Sequence, residues 1–353
     1  MTDWGASGRI DAYRFFTVDP FSLVRTGEVE AIPSECSITY GYETDNKRQA
    51  DLTIITPYDD IRGQLLQVEH TCTVGDDTVT EVLGTFFALR SPTDIGYGLT
   101  RTNLTCYSTL YRHTQDYLPN DFVRSAGYSN TRFIRDLVEA GGGTLSVASD
   151  VTDRNLSVQQ VCPMTDDHTI ATWMNTAAGW MGGQIDVADT GEIVLQKYYR
   201  PSEKGAVYEF AEGANCVYVS GYQLSDTTSE CINRVVAYCT TPTTTRRACV
   251  DLPDTDPYSY RSIGMHKTAR LAITEDVTQQ RLLANATDYL NAHRGSSTRI
   301  EFEHVGIPGL RAGQVVRYTN SNDGDPIDGL AIIEQMSFRL TPGMMTTTKA
   351  RLI

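Results

Sequence analysis

The sequence lacks the short motifs by which common enzymes are recognised. It contains no G-x-x-x-x-G-K-[ST], no G-x-G-x-x-G after a strand-like run, no H-E-x-x-H and no G-x-S-x-G. Pairs of carboxylates can be drawn from the 44 acidic residues in so many ways that their number has no diagnostic value. We therefore expect a protein that is not an enzyme, with no catalytic residues and no cofactor.

Long apolar runs and an excess of basic residues are also missing. No run of eighteen apolar residues occurs, and residues 1–16 lack the basic start and apolar core of a secretory signal. We expect synthesis in a cytoplasm and no membrane insertion by this chain. The net charge of −14 disfavours binding to duplex nucleic acid, which requires Lys and Arg to displace counterions.

Cysteine and histidine do not follow metal-ligand spacing. The eight cysteines form no C-x-x-C pair: Cys36, Cys72, Cys106, Cys162, Cys216, Cys231, Cys239 and Cys249. We expect most of them to be reduced, buried apolar residues, although spacing along the chain does not exclude pairing. Five histidines lie in different segments, where surface or hydrogen-bonded core positions are expected: His70, His113, His266, His293 and His304.

Two oxygen-rich stretches resemble metal sites at first sight. Asp166, Asp167 and His168 lie at a predicted helix start, where carboxylates are favoured by the helix dipole. The stretch from Asn320 to Gly329 does not have the alternating acidic spacing of a calcium loop, and Asp-Gly pairs are common in hairpin turns. Helix capping and a turn are the favoured interpretations, and we expect no metal.

A chain of 353 residues is long enough for several domains. Residues 1–110 are strand-like, with a hairpin turn at Gly75, Asp76 and Asp77, and predict a barrel-like β domain. Residues 111–205 contain two amphipathic helices and a hairpin near 189–191, which predict a small α+β domain. The class is therefore mainly β, with two barrel-like β domains flanking the α+β part.

Residues 206–353 return to strand signals. The prolines at 242, 253 and 257 predict a long surface excursion over 240–264. A helix is predicted over 274–294, with Leu283, Ala286 and Leu290 along one face. Three to four antiparallel strands then follow, with turns at 307–313, 323–329 and 342–343.

Several stretches of the chain resemble one family. They are R-I-E-F at 299–302, G-I-P-G-L-R-A-G-Q-V-V-R-Y at 306–318, G-L-A-I-I-E-Q-M-S-F-R-L-T-P-G-M-M-T-T-T-K-A-R-L at 329–352, G-T-F at 84–86 with 99–118, and the helical stretches 131–143 and 170–195. Together they resemble the tail hub (baseplate hub or tail-tip) proteins of long-tailed bacteriophages. No catalytic residue comes with this resemblance, and nothing in it matches 226–262.

The resemblance implies a structural virion protein at the tail tip, assembled in the host cytoplasm. Two similar barrels per chain in a homotrimer would match a sixfold tail tube to a threefold tip and line the DNA-exit channel. The implied partners are distal tail or tail tube proteins, the tape measure protein, and central spike or fibre proteins. Host attachment and genome ejection would be the processes served.

Two other classes of function stay open. A tail-associated cell-wall hydrolase would need a catalytic module, for which the sequence shows no signature. A carbohydrate-binding β protein could use exposed aromatics among the 19 tyrosines, although tyrosine is also a favoured strand residue.

Overall fold

The computed structural model of the chain describes residues 4–90, 101–164, 167–213, 216–219, 221–225, 231–240, 245–273, 277–293, 298–321 and 326–353. The chain forms two compact units. The first comprises residues 1–221 and 302–350, and the second comprises 222–301 and 351–353. Among the described residues, no helix is long and apolar enough to cross a membrane.

The N-terminal segment consists of seven strands, one short helix and one 3-10 turn. They are β1 (Ile10–Val18), β2 (Arg25–Val29), the 3-10 turn Pro33–Glu35, β3 (Ser37–Gly41), β4 (Arg48–Ile54), α1 (Tyr58–Ile61), β5 (Leu65–Val74), β6 (Asp77–Arg90) and β7 (Thr102–Ser108). Burial alternates along β7, as expected for a strand with one face in the core. The predicted hairpin turn at Gly75 is confirmed, because β5 and β6 pair antiparallel on either side of it.

The middle segment contains three helices, five short strands, a second 3-10 turn and one further strand. They are α2 (Tyr111–Gln115), β8 (Phe122–Arg124), α3 (Asn130–Ala140), β9 (Leu145–Val147), β10 (Gln160–Cys162), α4 (Ile170–Trp180), β11 (Gly183–Val187), β12 (Ile193–Lys197), the 3-10 turn Pro201–Glu203 and β13 (Ala206–Phe210).

Both predicted helices of the middle segment are confirmed. Ser129 caps α3 by accepting a hydrogen bond from the amide of Arg132, and Thr169 caps α4 in the same way. The apolar faces of α3 and α4 share one buried core with β11 and β12. The predicted hairpin near 189–191 joins β11 to β12.

The second unit contains a three-stranded sheet and a helix. Its elements are β14 (Gln223–Ser225), β15 (Arg234–Thr240), β16 (Thr245–Asp251), α5 (Tyr260–Ile263), β17 (Thr268–Ile273) and α6 (Gln279–His293). The sheet order is β16-β15-β17, and Leu282, Ala286 and Leu290 of α6 are buried in its core. The prediction for Leu283 was wrong, since its side chain is 48% exposed and the buried face begins one residue earlier.

The predicted long surface excursion over 240–264 was wrong over part of its length. Residues 245–251 form β16, which pairs antiparallel with β15 along its whole length. Pro253 lies beyond the end of this strand, and no proline falls within it. The strand is therefore compatible with the rule that proline disrupts a sheet ladder. Residues 226–230 and 241–244 lie outside the described part of the chain.

Four strands end the chain: β18 (Arg299–His304), β19 (Val315–Asn320), β20 (Ile327–Arg339) and β21 (Thr346–Leu352). In the first unit the sheet order is β18-β21-β20-β3-β4-β7-β6-β5-β1-β2, with β19 on β20 and β13 on β19. The antiparallel pairing of β20 with β3 joins the two ends of the chain in one sheet. The predicted class, mainly β with an α+β part, is confirmed, and the sheets are open where closed barrels were expected.

Candidate functional site

Charged side chains of low exposure meet where β1, β5 and β6 face the segment that precedes β19. We call this group the charge cluster, and its members are Arg9, Asp11, Arg48, His70, Glu81, Asp189 and Arg311. The side chains of Asp11 and His70 are 0% exposed, and Asp189, the most exposed member, reaches 34%. Burying so many charges is costly unless they are paired, and each of them has a partner of opposite sign.

Strand register places the centre of the cluster. In the β1–β5 pair Tyr13 lies opposite His70, and Asp11 is two residues before Tyr13 on the same face of the sheet. Glu81 of β6 lies opposite His70 on its other side. The imidazole therefore lies between two carboxylates, with Nε2 2.7 Å from Asp11 Oδ1 and Nδ1 3.4 Å from Glu81 Oε1.

The Gly/Pro-rich joint between β18 and β19 supplies the next layer. Arg311 Nη2 lies 2.9 Å from Glu81 Oε2, and the amide of Gly309 donates to the same oxygen at 2.8 Å. Gly309 has φ +80°, a backbone conformation that favours glycine. Arg9 Nη1 donates to the carbonyl of Gly306 at 2.6 Å. These bonds hold the joint against the N-terminal strands.

Asp189, in the hairpin turn of the middle segment, completes the cluster. Its carboxylate accepts hydrogen bonds from Arg311 Nη2 at 3.1 Å and from Arg48. Arg48 also donates to the carbonyl of Val187 at 2.8 Å, and Thr85 donates to the carbonyl of Asp189 at 2.9 Å. The cluster thus connects N-terminal strands, the middle segment and the C-terminal joint, all within the first unit.

The proton affinities follow from this pairing. Burial alone would lower the pKa of His70, but its hydrogen bonds to Asp11 and Glu81 more than offset burial and raise the pKa. For Asp11 and Glu81 burial opposes ionisation, yet hydrogen bonds from His70 and Arg neighbours hold the pKa of each carboxyl below its usual range. The arrangement therefore favours an imidazolium between two carboxylates.

Asp11, His70 and Cys72 have their ligand atoms within 4.8 Å of one another, a spacing that a metal site would also show. Asp11 already accepts from Arg9, His70 and the amide of Gly343. Burial raises the pKa of the Cys72 thiol to about 11, so the thiolate that metals require is disfavoured. Asp11 and His70 belong to the charge cluster and Cys72 is a neutral thiol beside them, so the three residues do not suit a metal ion.

A cavity of about 580 Å³ lies beside the cluster. Arg48 and Arg311 form one wall, where both guanidinium groups lie over the Tyr40 ring at 5.3 and 5.2 Å from its centroid. Lys47 and Lys204 lie near the Tyr42 ring on another side. Two members of the cluster line this cavity, and its lining is mixed in charge.

The stretches that the sequence singled out as oxygen-rich lie elsewhere. Asp166 and residues 322–325 are outside the described part of the chain. Asp167 and His168 precede α4, where Thr169 supplies the cap, and the His168 ring lies 5.1 Å from that of Trp173. Asp328 forms an ion pair with Arg317 at 2.9 Å. None of these described groups joins the charge cluster.

His113 and His304 are buried histidines with backbone partners, and the cysteines are free thiols. His304 donates from Nδ1 to the carbonyl of Val305 at 2.7 Å and lies 2.8 Å from the Thr348 hydroxyl. His113 is fully buried with Nε2 3.0 Å from the carbonyl of Val138. All eight cysteines lie in described residues and are free thiols, of which Cys216 and Cys249 are exposed and six are buried. The expectation that most are buried is confirmed.

Sequence reasoning missed the charge cluster, whose members are spread from residue 9 to residue 311. Arg311 carried one signal, since it lies within the G-L-R-A-G part of the joint that the resemblance used. The H-x-C pair His70 and Cys72, on one face of a predicted strand, was a second available signal.

Comparison with known proteins finds similar structures but no match in sequence. No family model and no curated protein matches the sequence. A tail protein from Neisseria meningitidis is similar over 96% of both chains, with a TM-score of 0.66 and 12% identity. The 43 kDa tail protein of prophage MuSo2 from Shewanella oneidensis gives a TM-score of 0.62 at 13% identity, over 96% of this chain and 98% of that one.

A chain of a protein complex from Francisella is similar as well. A chain of the Francisella PdpA-VgrG complex gives a TM-score of 0.59 at 9% identity, over 98% of this chain and 58% of that chain. At such low identity these similarities show only that the fold is shared. The chain therefore has the fold of these tail proteins, as the resemblance in the sequence implied.

Proposed function

We propose that the chain is a structural hub of a bacteriophage tail tip that acts as a homotrimer. In this role it adapts the sixfold tail tube to a threefold tip and lines the channel through which DNA leaves. The observation that carries the proposal is the fold, shared over 96% of both chains with a phage tail protein.

The open sheet of the first unit supports assembly into a ring. An open sheet leaves edge strands with unpaired backbone groups, and soluble proteins usually cover such edges or use them to associate. Strand β2 is the edge at one end, and four of its five residues are exposed. Closure of three chains into a ring would cover such edges.

The charge cluster supports the same role because a hub must transmit force without deforming. It fastens the C-terminal joint to N-terminal strands through Arg311 and Glu81, and to the middle segment through Asp189. Residues that hold three segments together in this way suit a rigid subunit of a ring. The partners we propose are distal tail or tail tube proteins, the tape measure protein, and central spike or fibre proteins, in a virion assembled in the host cytoplasm.

The oligomeric state tests the proposal. Light scattering over a concentration series should show a monomer that becomes a trimer as concentration rises, because assembly follows mass action. Electron-microscope class averages of the concentrated protein should show threefold rings with a central hole. A stable dimer, or a monomer at every concentration and in the presence of tail tubes, would contradict the proposal.

Two further measurements separate the hub from the other classes. Zymography on host cell walls should show no hydrolysis above that of heat-denatured protein, since a hub needs no catalytic module. A gel shift with duplex DNA at physiological salt should show no complex, because the chain carries a net charge of −14. Hydrolysis that one carboxylate or serine substitution abolishes would favour the hydrolase.

A further inference from the structure

The three-stranded sheet of the second unit has two edges that differ in their surroundings. The sheet order is β16-β15-β17, so β16 and β17 are the edge strands. At the β16 edge, the carbonyl of Arg247 accepts a hydrogen bond from Gln279 Nε2 at 2.8 Å, where α6 begins. Soluble proteins usually cover a sheet edge in this way, because an edge strand carries a row of unpaired backbone groups.

Strand register identifies the backbone groups at the β17 edge. β15 and β17 are parallel, with Arg234 beside Thr268, and the amide of Arg234 donates to the carbonyl of Lys267 at 3.2 Å. Because successive residues of a strand direct their backbone groups to opposite sides, the odd-numbered residues of β17 bond to β15. The amides and carbonyls of Thr268, Arg270 and Ala272 then face away from the sheet. All three residues are exposed, and these outward groups have no hydrogen bond within the part of the chain that the structure describes.

The side chains of β17 alternate between two faces of different chemistry. Ala269, Leu271 and Ile273 lie on the side of α6, where they are half-buried at the margin of the core. The helix packs over β15 and β16 and so leaves this margin partly open. A strand added beside β17 would bury more of this apolar surface, which favours apolar residues on one face of that strand.

The opposite face of the sheet is basic. On it lie Arg234 of β15, Arg247 of β16 and Arg270 of β17. Arg234 is paired with Asp251 at 2.5 Å, but the side chains of Arg247 and Arg270 form no ion pair among the described residues. Arg270 belongs to the edge strand itself, so its guanidinium is the one that a neighbouring strand would meet.

The charge of Arg270 disfavours a second copy of the same edge as the neighbour. In an antiparallel pair of two β17 strands centred on Arg270, this residue of one copy would lie opposite the same residue of the other. Like charges directly opposite each other destabilise a strand pair, and opposite charges stabilise it. An acidic strand is therefore the complementary occupant of this edge.

We propose that the β17 edge binds an extended segment of a partner protein in which Asp or Glu alternates with apolar residues. Its backbone pairs with Thr268, Arg270 and Ala272. Its carboxylates lie beside Arg270, and its apolar side chains lie beside Leu271 and Ile273. This inference goes beyond the proposed hub role and does not depend on the trimer.

Synthetic peptides of equal length test the chemistry of the segment on the full-length protein. One alternates valine with glutamate, a second alternates valine with lysine, and a third has the valines and glutamates of the first in two separate blocks. We expect the first to bind and the other two to bind at least tenfold more weakly. Inorganic phosphate or single-stranded DNA at equal charge concentration should not displace it, because neither supplies a backbone that pairs with a strand.

Hydrogen exchange locates the bound peptide. The amides of Arg270 and Ala272 should exchange at least tenfold more slowly when the alternating acidic peptide is bound, because they gain an acceptor. The amide of Leu271 already bonds to β15 and should change less.

Matched variants assign the charge and the backbone contact separately. Arg270→Glu should weaken binding of the acidic peptide at least tenfold and strengthen that of the lysine peptide. Arg247→Glu is the control, since it changes an equally exposed, unpaired arginine on the far edge strand, where salt screens its charge from the peptide, and it should change binding less than twofold. Ala272→Pro removes one outward amide at a position where an edge strand tolerates proline, and it should weaken binding at least tenfold.

The proposal is overturned if the alternating acidic peptide does not bind, or if its binding leaves exchange at the β17 edge unchanged. Equal binding of the lysine or block peptide, equal loss in Arg270→Glu and Arg247→Glu, or displacement by DNA or phosphate also overturns it. Because peptide binding and trimer formation are measured separately, either can fail while the other holds.

Discussion

Two buried histidines in the first unit show how the same side chain acquires opposite properties. His70, in the charge cluster, lies between the carboxylates of Asp11 and Glu81, and its pKa is raised. His304 is equally buried but lies against Phe210 and Phe302, with ring centroids 4.7 and 5.5 Å away. Burial lowers the pKa of His304 to about 4.

The difference shows that burial alone does not decide charge. Burial opposes the imidazolium at both positions, and the outcome depends on whether carboxylates are within hydrogen-bonding distance. The surroundings of His304 form an aromatic cluster, which we define as Phe210, Tyr218, Phe302, His304 and Tyr318. One region of the sheet is therefore held by paired charges and the other by packed rings around a neutral imidazole.

The largest expected effect comes from breaking the charge cluster at Arg311. Arg311→Met leaves Glu81 and Asp189 without their shared cation, so we expect the free energy of unfolding to fall by about 3–5 kcal/mol. Denaturant unfolding measures the loss. Arg317→Met is the matched control, because its pair with Asp328 is more than half exposed on the acid side and is worth less than about 1 kcal/mol. Equal losses of stability in both variants would show that the buried pairs of Arg311 contribute no more than an exposed ion pair does.

The next effect is a pH dependence that arises from His304. Its folded pKa is about 4, below the usual value near 6.5, so the unfolded chain takes up the proton first as pH falls. Stability is present above about pH 6.5 and is lost as pH falls towards 4, by about 3 kcal/mol in all. Unfolding of wild type and His304→Gln at pH 7 and pH 4.5 measures this loss. If wild type loses no more stability between these two pH values than His304→Gln does, the pH dependence does not arise from His304.

A smaller effect is expected when the partner of His304 is removed. Since Nδ1 donates to the carbonyl of Val305, Nε2 of the neutral ring accepts from the Thr348 hydroxyl. Thr348→Val leaves Nε2 buried without a donor, at a cost of about 1–2 kcal/mol. Thr347→Val, at the neighbouring half-buried position, should cost less. If Thr348→Val and wild type are equally stable in denaturant unfolding, the hydrogen bond between Thr348 and His304 does not contribute to stability.

The smallest effect is the opposite pH dependence of His70. Its raised pKa means that the stabilisation is fully present below the usual histidine value and is lost as pH rises through the folded pKa. Wild type should therefore lose stability from pH 6 to pH 9, and His70→Gln should lose less. An NMR titration of the His70 ring that finds it neutral at pH 6 would exclude the imidazolium.

The local elements could be predicted from the sequence because their determinants are close together in the chain. The predicted cap Ser129 lies next to the helix that it begins, and Gly75 lies in its own hairpin turn. The cap of α4 is Thr169, a few residues after the acidic start that the sequence predicted. The boundary of β16 was missed because proline was given more weight than the uninterrupted strand pattern between Pro242 and Pro253. Leu283 was placed on the buried face of α6 in error, because the sequence does not show which side of the helix packs against the sheet.

Local sequence patterns were enough to predict the β-rich class, the helices α3 and α4, and the turns at Gly75 and at 189–191, since spacing of apolar residues and turn chemistry act over a few residues. The tertiary structure alone decided that β20 pairs with β3 and that Arg311 reaches Glu81 and Asp189. Residues about 120 to 300 positions apart meet through sheet order and register. Those depend on the free energy of the whole packed sheet rather than on local preference.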